Sequence, residues 1–237
     1  PLIKKTIKMN SNSSKNNSAA TSVPGNPQAI LEVLKAGNSR FLANSRLNRD
    51  HHSGIDATKN GQQPFAAILS CMDSRVAAEL VFDQGIGDIF NIRIAGNIIT
   101  PEVLGSLEYA VEVSSTPVIV ILGHTGCGAI GGACDQVSLG NLTGILEKIQ
   151  PAILAEKTVQ HNRNSQNPEF VRKVTLLHLD NVLKDMLAQS DVIAGAVAER
   201  RLLVATAIYD IASGAVTFLS ERVDQEAITS APEAVLF

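Results

Sequence analysis

The chain has 237 residues, 45% apolar and 18% charged, and a net charge of −3. That balance fits a soluble globular protein with one sizeable α/β domain or two small ones, and it marks no nucleic-acid or membrane-surface partner. No apolar run reaches the roughly 18 residues that span a bilayer, and the 3 cysteines are too few for a disulfide framework.

The first 26 residues read as a disordered linker or tail. Asn, Ser, Ala and Thr dominate 10–26, and Lys4, Lys5, Lys8 and Lys15 all precede the first acid, Glu32. Pro1 is not an initiator, so a processed or engineered start is expected. The cytoplasm is the expected compartment, with a periplasmic or secreted origin as the alternative. Residues 27–237 are expected to form a single domain.

Asn26 and Pro27 read as the N-cap and first position of a helix running to about Asn44. Leu31, Leu34 and Phe41 share its apolar face. Residues 45–63 read as a polar loop. The apolar run Phe65 to Leu69 predicts a first strand, 65–70, and a short helix follows near Val76 to Asp83. A second strand, Ile89 to Ile94, ends at Ala95-Gly96-Asn97.

Thr100-Pro101-Glu102 combines a cap, an N1 proline and a first-turn acid, and so starts a helix. Leu104, Leu107 and Val111 lie at helical spacing behind it. Strand three is 117–122. One helix distorted at Pro151 is expected from Leu142 to Ile153, and a long one after Asn167-Pro168 carries Phe170, Val174, Leu177, Leu179, Leu183 and Met186. Leu202 to Ala207 is strand four, and Ala215 to Leu219 is a hairpin-like antiparallel fifth. Strands alternating with helices predict an α/β fold, with four parallel strands and one antiparallel strand flanked by helices.

Two of the strands end in soft metal ligands. Cys71-Met72-Asp73-Ser74-Arg75 follows the first, and Gly123-His124-Thr125-Gly126-Cys127-Gly128 follows the third. Taken singly, a strand-end Cys is usually a small buried hydrophobe, and Asp-Ser-Arg is an ordinary turn. Taken together, Cys71, His124 and Cys127 offer two thiolates and an imidazole at the carboxyl ends of parallel strands, where open α/β sheets place their sites. That donor set suits Zn²⁺, and three protein ligands with one open position is the catalytic arrangement. A zinc of this kind acidifies its bound water. Asp73 is placed to orient that water, and Arg75 can hold Asp73 ionised by a bidentate pair. If Arg75 let go, Asp73 could take the open position, which would be an off state.

These two motifs, with Arg93-Ile94-Ala95-Gly96-Asn97, resemble the signature of the β-class carbonic anhydrases, and the similarity runs from about Pro27 to Leu219. The resemblance implies a zinc lyase, one Zn²⁺ per subunit, that interconverts CO2 with bicarbonate and a proton through zinc-bound hydroxide. It implies an obligate homodimer or a dimer of dimers, whose N-terminal helices embrace the neighbouring subunit. Cys71, His124 and Cys127 would be the zinc ligands, and Asp73 and Arg75 the catalytic dyad. Gln62, Phe90, Ala95, Tyr109 and Gly128 match substrate-pocket positions of the open-site, plant-like branch. The other branch closes its zinc with the aspartate and binds regulatory bicarbonate beside a Trp. This chain has no Trp, and Ile68 stands at that position. The open branch is therefore expected.

A carbonyl sulfide or carbon disulfide hydrolase on the same fold is the alternative enzyme. A non-catalytic zinc-binding protein is the alternative of a different class. His51 and His52 are read as part of a solvated loop, Cys134 as a buried free thiol, and His161 and His178 as surface or helix-face residues.

Overall fold

A computed structural model describes residues 26–222, so the predicted tail lies almost wholly outside the described residues. Five strands form one sheet: β1 (Ala66–Ser70), β2 (Ile89–Arg93), β3 (Val118–His124), β4 (Leu203–Tyr209) and β5 (Val216–Arg222). Their order is β2-β1-β3-β4-β5. The first four are parallel, and β5 runs antiparallel to β4, as the sequence predicted. Every residue of β1, β3 and β4 is buried. Helices covering both faces of a parallel sheet produce such continuous apolar strands.

One face is covered by α4 (Pro101–Glu108), α8 (Pro168–Gln189) and α9 (Asp191–Ala198). Leu104, Leu107, Leu183, Met186 and Ile193 pack there against Leu69, Ile119, Ile121 and Val204. The other face receives α1 (Pro27–Leu42) and α3 (Ala78–Val81). There Ile30, Leu31, Leu34 and Val81 meet Ile68, Val120, Leu122 and Ala205. The apolar face of α1 is thus buried inside its own chain, where the resemblance had suggested a neighbouring subunit. Asn38 explains the docking. Its Nδ2 donates to the Val81 and Gly214 carbonyls, and its Oδ1 accepts from the Val216 amide, so a buried amide side chain ties α1 to α3 and to the β4–β5 turn.

A third cluster closes the carboxyl ends of the strands. It joins Cys71, Ile98, Cys127, Ile130, Leu146, Ile149 and Phe170, drawing on α5 (Gly128–Cys134), α6 (Leu142–Glu147) and α7 (Gln150–Ala155). The single helix expected over 142–153 is therefore two, and Pro151 starts the second rather than bending one.

The segment read as a polar loop holds a helix, α2 (His51–Thr58), which buries none of its residues. The Asp50 carboxylate caps it by accepting from the His52 and Ser53 amides, a signal that apolar periodicity cannot carry. No helix of the described residues is long and apolar enough to cross a membrane.

Candidate metal centre

Cys71 is the first residue after β1, and His124 is the last of β3. In the parallel register Ser70 pairs with Leu122, so both side chains emerge at the same end of the sheet. Thr125 and Gly126 then turn the chain, with Gly126 at φ 62°, and Cys127 becomes the N-cap of α5. The three ligand atoms lie within 4.8 Å of one another, and the two sulfurs are 4.0 Å apart. All three residues are buried.

The imidazole is pre-set for coordination. His124 Nδ1 lies 2.9 Å from the Thr125 carbonyl, which can only accept, so Nδ1 carries the hydrogen. That leaves Nε2 with a bare lone pair, and Nε2 is buried with no hydrogen-bond partner among the described residues. An unanswered buried polar atom costs about 1–3 kcal/mol. A cation held jointly with the two sulfurs would remove that cost, and a backbone bond to the far ring nitrogen is the usual way an imidazole ligand is oriented. Two thiolates and one imidazole suit Zn²⁺.

The thiols form a coupled pair. The Cys127 thiol acts as donor to Cys71, which drives Cys71 well below the ordinary thiol range against the opposing effect of burial, with help from the Gly96 and Asp73 backbone. Cys127 is pushed up by its Cys71 neighbour and then by burial, while the amides of Ala129 and Ile130 at the start of α5 act the other way. One proton shared between two sulfurs is what a divalent cation would displace.

Asp73 and Arg75 form a bidentate pair. Arg75 Nε donates to Oδ1 at 2.9 Å and Nη2 to Oδ2 at 2.7 Å, and the Arg75 amide adds a third bond to Oδ1 at 3.0 Å. These bonds hold the Asp73 carboxyl far below the usual carboxylate range. Arg75 Nη2 also reaches the Gly126 carbonyl at 3.3 Å, which links the two motifs. Asp73 Oδ2 stands 4.0 Å from His124 Nε2. It is beside the ligand group and outside it.

The sequence marks Arg93 and Asn97 only as members of a motif, and the structure gives them a supporting role. Arg93 clamps the ligand loop by donating from Nε to the Cys71 carbonyl at 3.2 Å and from Nη2 to the Asp73 carbonyl at 2.6 Å. Asn97 Nδ2 donates to the Leu69 and Leu122 carbonyls, and so bridges β1 and β3 just before their ligands. His178, read as a surface or helix-face residue, is buried on α8 with Nε2 2.6 Å from the Gly96 carbonyl.

The expected substrate residues are spread out. Phe90 and Tyr109 meet edge to face at 6.3 Å. With Asn91, Ile92, Glu102 and Ser106 they line a groove of about 490 Å³ along the β2 edge, and none of the three ligands lines it. Ala95 is half-buried in the turn after β2, and Gly128 is exposed at the start of α5. Gln62 is exposed just ahead of β1. His51 and His52 are exposed on α2. Cys134 is a buried free thiol, and burial pushes it up to about 11.

The carbonic anhydrase family model matches residues 66–216. Carbonic anhydrase 2 of Mycobacterium tuberculosis is 37% identical over 198 residues, covering 80% of this chain and 91% of that protein. A β-carbonic anhydrase structure from Aspergillus fumigatus superposes with a TM-score of 0.62 at 27% identity, covering 80% of this chain and 90% of that one. A tetrameric β-carbonic anhydrase from Sordaria macrospora superposes with a TM-score of 0.61 at 25% identity, covering 81% of this chain and 97% of that one. With the family model spanning most of the sheet, this chain belongs to the carbonic anhydrase family, in its β class.

Proposed function

We propose that this protein catalyses the reversible hydration of CO2 to bicarbonate and a proton, with one Zn²⁺ held by Cys71, His124 and Cys127. One observation carries the reading: the buried His124 Nε2, with no hydrogen-bond partner among the described residues, shares a 4.8 Å cluster with two thiols, and an Arg75-held carboxylate stands 4.0 Å from it. Zinc bound there would supply an acidified water near neutral pH.

The chain's own residues do the rest. Asp73 stays ionised, so its oxygens can only accept. Oδ2 would accept a hydrogen bond from that water and so aim its lone pair toward the CO2 carbon. Arg75 keeps that carboxylate from drifting onto the metal. Gly128 offers its helix-start amide toward charge developing on the CO2 oxygens, and the Gln62 amide is the second such donor. Phe90, Ala95 and Tyr109 supply the apolar wall that an uncharged linear substrate needs.

A homodimer completes this pocket. β2 is an edge strand, and Tyr109 beside it is 44% exposed, as is Val113 at 42%. A second copy seated on this edge would cover the groove and carry its aromatic wall to a ligand group. Light scattering should then report at least twice the 25.1 kDa chain mass; a 25 kDa species with full activity would remove the dimer from the reading.

The functional test is stopped-flow CO2 hydration by the zinc-loaded protein, run beside sulfide release from carbonyl sulfide. Fast hydration lost on chelation is expected. Sulfide release without hydration would replace the reading with the hydrolase.

A further inference from the structure

His178 is 3% exposed, and its Nδ1 has no hydrogen-bond partner among the described residues. Burial lowers its pKa, so the ring is neutral and offers one N–H. That N–H is on Nε2, because its neighbour at 2.6 Å is the Gly96 carbonyl. A Leu or Met could fill the space without an unanswered nitrogen. The imidazole is therefore best explained by the single bond it makes.

The carbonyl it holds is well placed. Gly96 has φ 69° and ψ 12°, the left-handed region that glycine adopts without strain. A Cβ there would stand 3.0 Å from Ile149 Cδ1 and 3.3 Å from Ala129 Cβ, so the turn lies tight against α5, two residues beyond Cys127. Asn97 follows, also left-handed at φ 55°. Its Nδ2 donates to the Leu69 carbonyl at 3.3 Å and the Leu122 carbonyl at 2.6 Å. Those carbonyls precede Cys71 and His124 by two residues each. The turn 95–97 thus touches all three ligand-bearing segments: the end of β1, the end of β3 and the start of α5.

We infer that His178 is a positioning residue of the metal centre. By pinning the Gly96 carbonyl it fixes the conformation of the 95–97 turn. It thereby sets how tightly, and with what sulfur donor strength, Cys71, His124 and Cys127 hold zinc. This rests on the zinc reading proposed above.

The test compares full-length wild type with His178→Leu, His178→Asn and His178→Gln. Zinc affinity is measured by chelator competition, and the sulfur-to-metal charge-transfer band is recorded on the Co²⁺-loaded proteins. Leu has no donor, and the Asn amide is too short to reach the carbonyl. Both should bind zinc about 10–100-fold more weakly, as changes behind a ligand typically do, with a shifted cobalt band. The Gln amide can reach, and should recover most of the affinity and the wild-type band. If His178→Leu does not fold, the Asn and Gln pair makes the same comparison. Wild-type affinity and spectrum in the Leu or Asn variant would overturn the inference. So would a Gln variant as weak as Asn, because the effect would then be one of ring packing. A wild type that binds no zinc would take down the metal site and the inference with it. A tight wild type with unchanged variants would remove the role of His178 alone.

Discussion

Asp73→Ala should keep its zinc and lose CO2 hydration by at least about 100-fold, the lower end of what one positioned proton-handling group contributes. Zinc should stay because Asp73 is outside the ligand cluster; the three ligand atoms meet without it. Hydration should fall because the variant has no acceptor 4.0 Å from His124 Nε2 to orient the nucleophile. The bidentate bonds from Arg75 would also be lost, freeing a guanidinium that is half exposed and can rehydrate. Folding should therefore change little, since a pair whose arginine stays half exposed is screened by solvent and contributes little to stability. Zinc content and turnover are measured on the same sample. Full turnover with full zinc would remove the dyad from the mechanism.

Cys127→Ser should have the opposite signature, a protein that no longer holds zinc. A serine hydroxyl at neutral pH is a poor zinc ligand, and Cys71 with His124 leaves only two. The loss should extend to stability, because a metal that binds the folded state alone stabilises it by mass action, about 4 kcal/mol when present at a thousand times its dissociation constant. Cys127 sits in the cluster with Ile98, Ile130 and Phe170 that closes the sheet's carboxyl end, so the melting temperature of the wild type should rise with zinc while that of the variant should not. The check is metal content after dialysis together with thermal melts at several zinc concentrations. Unchanged metal content would show the ligand assignment to be wrong.

Much of the centre was legible because burial and chemistry coincide there. β1 and β3 are buried on both faces, so they stand out as apolar runs, and the polar residues that end them stand out in turn. The mainly parallel sheet followed from alternation of strand and helix, whereas the strand order β2-β1-β3-β4-β5 had no mark in the sequence. α2 was invisible because it buries nothing, and its only mark is the Asp50 cap. α9 was missed because its buried face, Ile193, Ala196 and Val197, is short and partly built from a small residue. The supports of the site were hidden for another reason. His178 and the Gly96 carbonyl are 82 positions apart in the chain, and a buried histidine on a helix looks like an exposed one until the helix is docked. Gln62, Phe90 and Tyr109 carried no chemical signal of their own, and only the family resemblance selected them.

The central claim is that three side chains hold the metal while Arg75 keeps Asp73 away from its fourth position. The most direct measurement is a crystal structure of the zinc-loaded protein at neutral pH, with the metal located by anomalous scattering. The prediction is zinc bound by Cys71, His124 and Cys127, a water completing the tetrahedron, and Asp73 still paired with Arg75. An Asp73 oxygen within about 2.2 Å of the zinc would contradict it.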